Sequence, residues 1–159
     1  MELDDIDWLL LSALQEDASQ SNQSLAERVH VSPPTALRRV RRLREASLIA
    51  AQAALLDEDR IAALQGHGLT AIAEVSLDRQ GAEHLQAFER RAVQEAAVRQ
   101  CYQVTPGPDF VLVLRVPDMP AWQAVAERLF TQDANVRNVR VFFSVRRAKF
   151  DTQVPLLRS

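Results

Sequence analysis

Ser32-Pro33-Pro34-Thr35-Ala36-Leu37-Arg38-Arg39-Val40-Arg41-Arg42-Leu43-Arg44-Glu45 is the stretch on which the reading of the chain turns. Serine followed by proline starts a helix: the hydroxyl accepts a backbone N–H, and proline at the first helical position has no N–H to lose. From there Ala36, Leu37, Val40 and Leu43 fall on an inner face, and Pro34, Thr35, Arg38, Arg41 and Arg42 on an outer one. Residues 28–44 hold six arginines (Arg28, Arg38, Arg39, Arg41, Arg42 and Arg44) and no acid, a local charge of +6. A merely solvated helix carries acids as i,i+4 partners of its bases. Their absence predicts a face built for anions, and arginine's planar fork matches guanine edges and phosphate oxygens.

Upstream, Ile6, Leu9, Leu10, Ala13 and Leu14 form one apolar stripe, predicting a helix over residues 5–16 with Asp4 or Asp5 at its start. Trp8 lies nearly opposite that stripe, either along the surface or against a second subunit. A short second helix follows the polar stretch 17–23, with Leu25, Ala26 and Val29 inward and Ser24 with Glu27 spaced as a capping box. Only His30 and Val31 remain for the turn before Ser32. Three short helices, the last entered through a tight turn and Arg-rich outside, are what a helix-turn-helix DNA reader requires.

Downstream, residues 50–69 read as a connector, Ala-rich and then acidic at Asp57-Glu58-Asp59. The apolar period then changes from helical to alternating. Strands are predicted over 71–77, 98–104, 110–116 and 139–145, with helices over 81–95 and 121–130. Strand, helix, strand, strand, helix, strand is a ferredoxin-like order, an antiparallel sheet with both helices on one face. The strand Phe110-Val111-Leu112-Val113-Leu114-Arg115-Val116 is apolar on both sides, and so large a patch needs a cover. A second copy packed sheet to sheet, with twofold symmetry, is the simplest one.

The composition sets the bounds. At 159 residues, 47% apolar and 25% charged, the chain has room for one ordinary domain or two very small ones. The net charge of −2 hides a segregation, since residues 1–27 hold seven acids and no base while the basic run follows. A local field, and not the sum, governs binding. The single Cys101 excludes an internal disulfide, no apolar run is long enough for a bilayer, and the acidic start lacks a secretory n-region, so a cytoplasmic chain is expected. No Gly-rich phosphate loop, Cys–His pairing or H-x-x-H spacing points to a catalytic centre, cofactor or metal.

In order and spacing several segments resemble the Lrp/AsnC family of transcriptional regulators: residues 3–7, 24–29, 31–33, 39–46 and 48–49, then 101–105, 109–112 and 149–152. The resemblance covers nearly the whole chain. It implies an α+β protein, a three-helix (winged) helix-turn-helix domain at 1–49, a connector at 50–69, and a ferredoxin-like βαββαβ domain called RAM at 70–159. It further implies a homodimer that often assembles into tetramers or octamers, and a small effector, commonly an amino acid. Effectors of the family bind near the loop between the second and third strands, matched here by Thr105-Pro106-Gly107-Pro108-Asp109.

At three positions where the family keeps glycine, this chain has His30, Ser47 and Pro106. Pro106 and Pro108 supply no N–H to a ligand's carboxylate. That leaves Thr105, Gly107 and Asp109 as effector candidates, with a rigid, ligand-free turn the equal alternative. For DNA, Pro34, Thr35 and Arg38 sit where base edges are reached; Arg39, Arg41, Arg42 and Arg44 are placed to hold phosphates, and Ser32 caps the helix beside the backbone. Two competing readings stay open: a tetrapyrrole (sirohaem-type) decarboxylase on the same fold, with His67 or His84 as its candidates, and an architectural protein that coats DNA with little specificity.

Overall fold

The computed structural model describes residues 2–66 and 68–156, so His67 lies outside the described residues. It divides into two compact units, Met1–Leu55 with Lys149–Ser159, and Leu56–Ala148.

The first unit is built on α1 (Asp5–Glu16), α2 (Asn22–Arg28) and α3 (Pro33–Glu45). Asp4 caps α1 in a full capping box: its carboxylate accepts the Asp7 N–H at 3.0 Å, and the Asp7 side chain accepts the Asp4 N–H at 3.2 Å. The cap of α2 is Ser21, whose hydroxyl accepts the Ser24 N–H, so the Ser24/Glu27 box expected from sequence does not form. With Ser21 as cap, the helix begins three residues earlier and Ser24 is already inside it. Ser32 caps α3 with Pro33 following, as its sequence predicts. Leu10, Ala13, Leu25, Ala26, Ala36, Val40 and Leu43 close the core of this unit.

His30 and Ser47 both take left-handed backbone, at φ 56° and 58°. These are the turn into α3 and the turn out of it, two of the three positions where the resemblance led glycine to be expected. Among the described residues no strand occurs in this unit, so the helices stand without a β-wing, and residues 50–55 run without regular structure. Residues 149–156 belong here as well. The Gln15 amide closes a two-way clasp on this segment, donating to the Val154 carbonyl at 3.1 Å and accepting the Val154 N–H at 3.0 Å.

The connector is not featureless, because it holds α4 (Glu58–Gln65). Asp57 accepts the Arg60 N–H at 3.0 Å, and Gly66 ends the helix at φ 84°. The acidic run is thus a helix start, where carboxylates suit the helix dipole.

The second unit continues with β1 (Leu69–Leu77), α5 (Ala82–Gln94), β2 (Val98–Gln103), β3 (Phe110–Val116), α6 (Met119–Ala126, running into a wider turn over Glu127–Thr131) and β4 (Val136–Phe143). The sheet order is β2-β3-β1-β4, antiparallel throughout. Ala71, Ala73, Val75 and Leu77 alternate inward with Phe110, Leu112, Leu114 and Val116, against Phe88 and Ala92 of α5 and Trp122, Val125, Leu129 and Phe130 of the second helical segment. Phe88 stacks on Phe110, and Trp122 meets Phe143 edge-on with ring centres 5.5 Å apart. Both helices therefore lie on one face, and the opposite face is open. Register places Gln100, Val113, Ile72 and Phe142 in one row across it, and Tyr102, Val111, Glu74 and Arg140 in the next.

Candidate nucleic-acid interface

The residues named for DNA contact divide into two groups. Pro34, Arg38 and Arg41 are exposed one turn apart on the outer face of α3, and among the described residues neither arginine makes an ion pair. Ser32 and Thr35 hold each other at the start of the helix, hydroxyl to hydroxyl at 2.8 Å. Asn22 of α2 donates its side-chain N–H to the Pro33 carbonyl at 2.8 Å, which fixes the entry of α3 against α2. Arg44, exposed at the far end, donates to the neutral Gln52 carbonyl oxygen at 2.5 Å.

Arg39 is different, and here the structure corrects the expectation of an outward phosphate holder. Its side chain is 20% exposed. Its Nη1 donates to both Asp4 oxygens, at 2.9 and 2.8 Å, and to Asp7 Oδ1 at 2.9 Å. The two carboxylates hold its guanidinium pKa above the ordinary value, Asp4 contributing more than Asp7. Its buried Nε finds no partner among the described residues. Arg42 also reaches Asp7, through Nη2, while nearly half of its side chain stays in solvent. Asp7 itself is only 1% exposed and is the one buried charged residue among those described.

The acid-rich start of the chain is thereby explained. Asp4 and Asp7 neutralise Arg39 and engage Arg42, and Glu16 pairs with Arg28. The field that remains is carried by Arg38, Arg41, Arg44 and the exposed part of Arg42. The Asp7 N–H to the Asp4 carboxylate, and then Arg39, keep the Asp4 pKa below its usual 3.8.

One exposed residue of α3 escapes the helical-wheel reading. Leu37, assigned to the inner face, is 50% exposed. The buried residues of α3 are Ala36, Val40 and Leu43, and Leu37 falls at the edge of the outer face beside Arg38 and Arg41. An exposed apolar side chain early on such a helix suits the methyl group of thymine.

In the second unit, the loop named for an effector is partly committed to the fold. Thr105 and Gly107 are exposed, and Gly107 takes φ 125° with open space around it. Asp109 is not a free ligand group. Its N–H donates to the Val75 carbonyl at 2.9 Å, and its Oδ2 accepts the Leu77 N–H at 2.7 Å, so it ties the end of β1 to the start of β3. His84 is a partly exposed residue of α5 beside Glu83, 3.5 Å away. Among the described residues no group of His, Cys, Asp and Glu could hold a metal, and no helix is long and apolar enough to cross a membrane.

A capped, arginine-faced third helix on a three-helix unit, chained to a split βαββαβ sheet, defines a DNA-binding regulator with a separate regulatory domain. Comparison with known proteins narrows this class. Residues 3–44 match the AsnC-type helix-turn-helix domain and residues 70–154 the Lrp/AsnC ligand binding domain, and the chain belongs to the Lrp/AsnC family of transcriptional regulators. It is 36% identical over 156 residues to a leucine-responsive regulatory protein of Rhizobium meliloti, covering 98% of this chain and 97% of that one. It is 34% identical over 155 residues to the Bkd operon transcriptional regulator of Pseudomonas aeruginosa, covering 98% and 99%. Among solved structures it is similar to an AsnC family transcriptional regulator from Agrobacterium tumefaciens (TM-score 0.84, 25% identity, 96% and 97% covered). It is similar too to a Neisseria meningitidis transcriptional regulator solved with L-Met (TM-score 0.83, 28% identity, 97% of each chain covered).

Proposed function

We propose that this regulator reads DNA through the exposed face of α3, with Pro34, Thr35, Leu37 and Arg38 toward base edges and Arg41, Arg42 and Arg44 on phosphates. Ser32 caps the helix beside the backbone, and Arg39 fastens α1 to α3 instead of touching DNA. The observation that carries this is the pair of exposed guanidiniums Arg38 and Arg41, without an ion pair among the described residues, on a helix whose other face is closed core. The proposed dimer pairs two such helices about one DNA turn apart, which favours discrete half-sites over indiscriminate coating.

The open sheet face supports dimerisation. Ile72, Phe142 and Tyr102 are exposed beside the half-buried Val111 and Val113, with Gln100 and the Glu74–Arg140 pair as the polar members of these two rows. A second copy covers it in a twofold pairing, and tetramers or octamers assemble from such dimers. An amino-acid-type effector acts in the cytoplasm on the exposed part of the 105–109 loop, Thr105 and Gly107, with Asp109 supporting that loop from within. The L-Met bound to the Neisseria relative supports this class of effector.

The test is DNA binding by fluorescence anisotropy across a salt series, on a site selected from genomic fragments and on scrambled DNA. Arg38→Ala should cost about 1–3 kcal/mol on the selected site and narrow its advantage over scrambled DNA. Arg41→Ala should weaken both equally and lower the salt slope by about 1. Equal affinity of the unmutated protein for both DNAs would overturn specific reading.

A further inference from the structure

At the end of the sheet away from the 105–109 loop, a cavity of about 340 Å³ lies between α4 and the strands. The seven residues of β3 separate the two places, roughly 20 Å along the strand. The space exists because Ala62, Gly68 and Ala96 present small side chains or none where α4 passes the strands. At Gly68 a Cβ would stand 2.8 Å from Arg115 Nη2 and 3.1 Å from the Ala62 Cβ, so the cavity wall depends on that glycine. Leu56, Ile61, Val116 and Pro117 supply apolar lining.

The charges of the lining are unequal. Arg115 is braced across the opening: Nη1 donates to the Thr70 hydroxyl at 2.8 Å and lies 3.5 Å from Glu58 Oε2. The same Glu58 oxygen takes Arg147 at 3.1 Å. Arg99, at the irregular start of β2, makes no ion pair among the described residues. The lining thus holds two guanidiniums, Arg99 and Arg115, and one carboxylate, Glu58, that is already engaged twice. A zwitterion would find its carboxylate welcome and its ammonium group without a free acid, whereas a simple carboxylate fits both the charge and the apolar lining.

We propose that this cavity is a second small-molecule site, one that takes a monoanionic carboxylate with a short apolar chain, such as a 2-oxo acid. Arg99 pairs with the carboxylate, Arg115 orients it, and the chain lies on Ile61 and Val116. The site stands on the second unit alone. Its regulatory role rests on the DNA-binding reading: the chain enters the second unit at Leu56, which itself lines the cavity, so an occupant fixes α4 and the start of the connector that leads to the DNA-binding helices.

Isothermal titration of the full chain with 4-methyl-2-oxopentanoate tests binding, with L-leucine as the zwitterionic control. The 2-oxo acid should bind saturably at one site per chain, and any leucine bound, at the loop, should be insensitive to Arg99→Ala. Arg99→Ala, an exposed change, should weaken it about tenfold or more, and Thr105→Ala should leave it unmoved. Absence of saturable binding, leucine binding as tightly at this site, or loss in Thr105→Ala with none in Arg99→Ala overturns the site. Anisotropy with and without the 2-oxo acid tests regulation separately: binding of the acid with no change in DNA affinity overturns the regulatory half. Failure of DNA binding altogether, with the acid still bound, overturns the DNA reading and leaves the cavity standing.

Discussion

Replacing Asp7 by alanine is the sharpest test of how the first unit is held together. The substitution removes a fully buried carboxylate that receives Arg39 and Arg42 and completes the capping box of α1. Deleting one partner of a fully buried pair costs about 3–5 kcal/mol, because the other charge is left without compensation. Here Arg39 keeps Asp4 as a partner and Arg42 is half in solvent, so the cost falls to roughly 2–3 kcal/mol. At 1.4 kcal/mol per tenfold, amides of α1 and α3 should then exchange roughly 30–150 times faster. Hydrogen exchange read by mass spectrometry gives both units at once, with peptides from β1 and β3 as the internal reference. A double-mutant cycle with Arg39→Ala should return a coupling of about 1 kcal/mol or more. An effect below about threefold, or one of equal size in the sheet peptides, would refute the reasoning that Asp7 locks α1 onto α3.

Other outcomes follow from the same geometry. Arg39→Ala should reduce stability while leaving the salt slope of DNA binding unchanged, whereas Arg41→Ala should do the reverse; thermal melts and anisotropy on the two variants check this. Leu37→Ala should leave stability within about 0.5 kcal/mol, because the side chain is half in water, yet lower affinity for the selected DNA site. The pKa values of Asp4 and Asp17 are depressed in the folded chain, Asp4 chiefly by the Asp7 N–H and Asp17 chiefly by the Ser19 hydroxyl. Their contribution to stability is therefore full above the usual carboxylate value of 3.8 and is lost as pH falls through the lower folded values. Acid titration followed by circular dichroism should show that loss shrink in Asp4→Asn. Val113→Asp on the open sheet face should shift the mass measured by light scattering from dimer to single chain.

Much of the fold was legible because its signals are local. Ser32-Pro33 announces α3, and the recurrence of Ala71, Ala73, Val75 and Leu77 at every second position announces β1 as a strand with one face buried. Even the left-handed turns at His30 and Ser47 could be inferred from where the related family places glycine. What escaped depends on contacts between distant residues. Arg39 looks like its neighbours in sequence, and only the approach of Asp4 and Asp7, more than thirty residues upstream, turns it inward. Leu37 follows the apolar period, but a core closed by Ala36, Val40 and Leu43 leaves it outside. The helix α4 carries no buried side chain, so it offers no apolar stripe to read, although Asp57 and Gly66 marked its two ends. The role of Asp109 likewise depends on β1, whose Val75 and Leu77 backbone groups occupy it.

The clasp between Gln15 and Val154 gives the polypeptide an unusual route, since it passes from one unit to the other after Leu55 and comes back before Lys149. A protease that nicks residues 50–56 breaks the covalent link to the helix-turn-helix, which is then held to the rest of the chain by its non-covalent clasp on residues 149–156. Release of the whole first unit, with residues 149–156 still on it, needs a second cut near Lys149. By the same token, a fragment ending at residue 55 is not the natural unit but one stripped of a segment that packs on α1. A faithful minimal DNA-binding fragment would splice the stretch 149–156 back onto it.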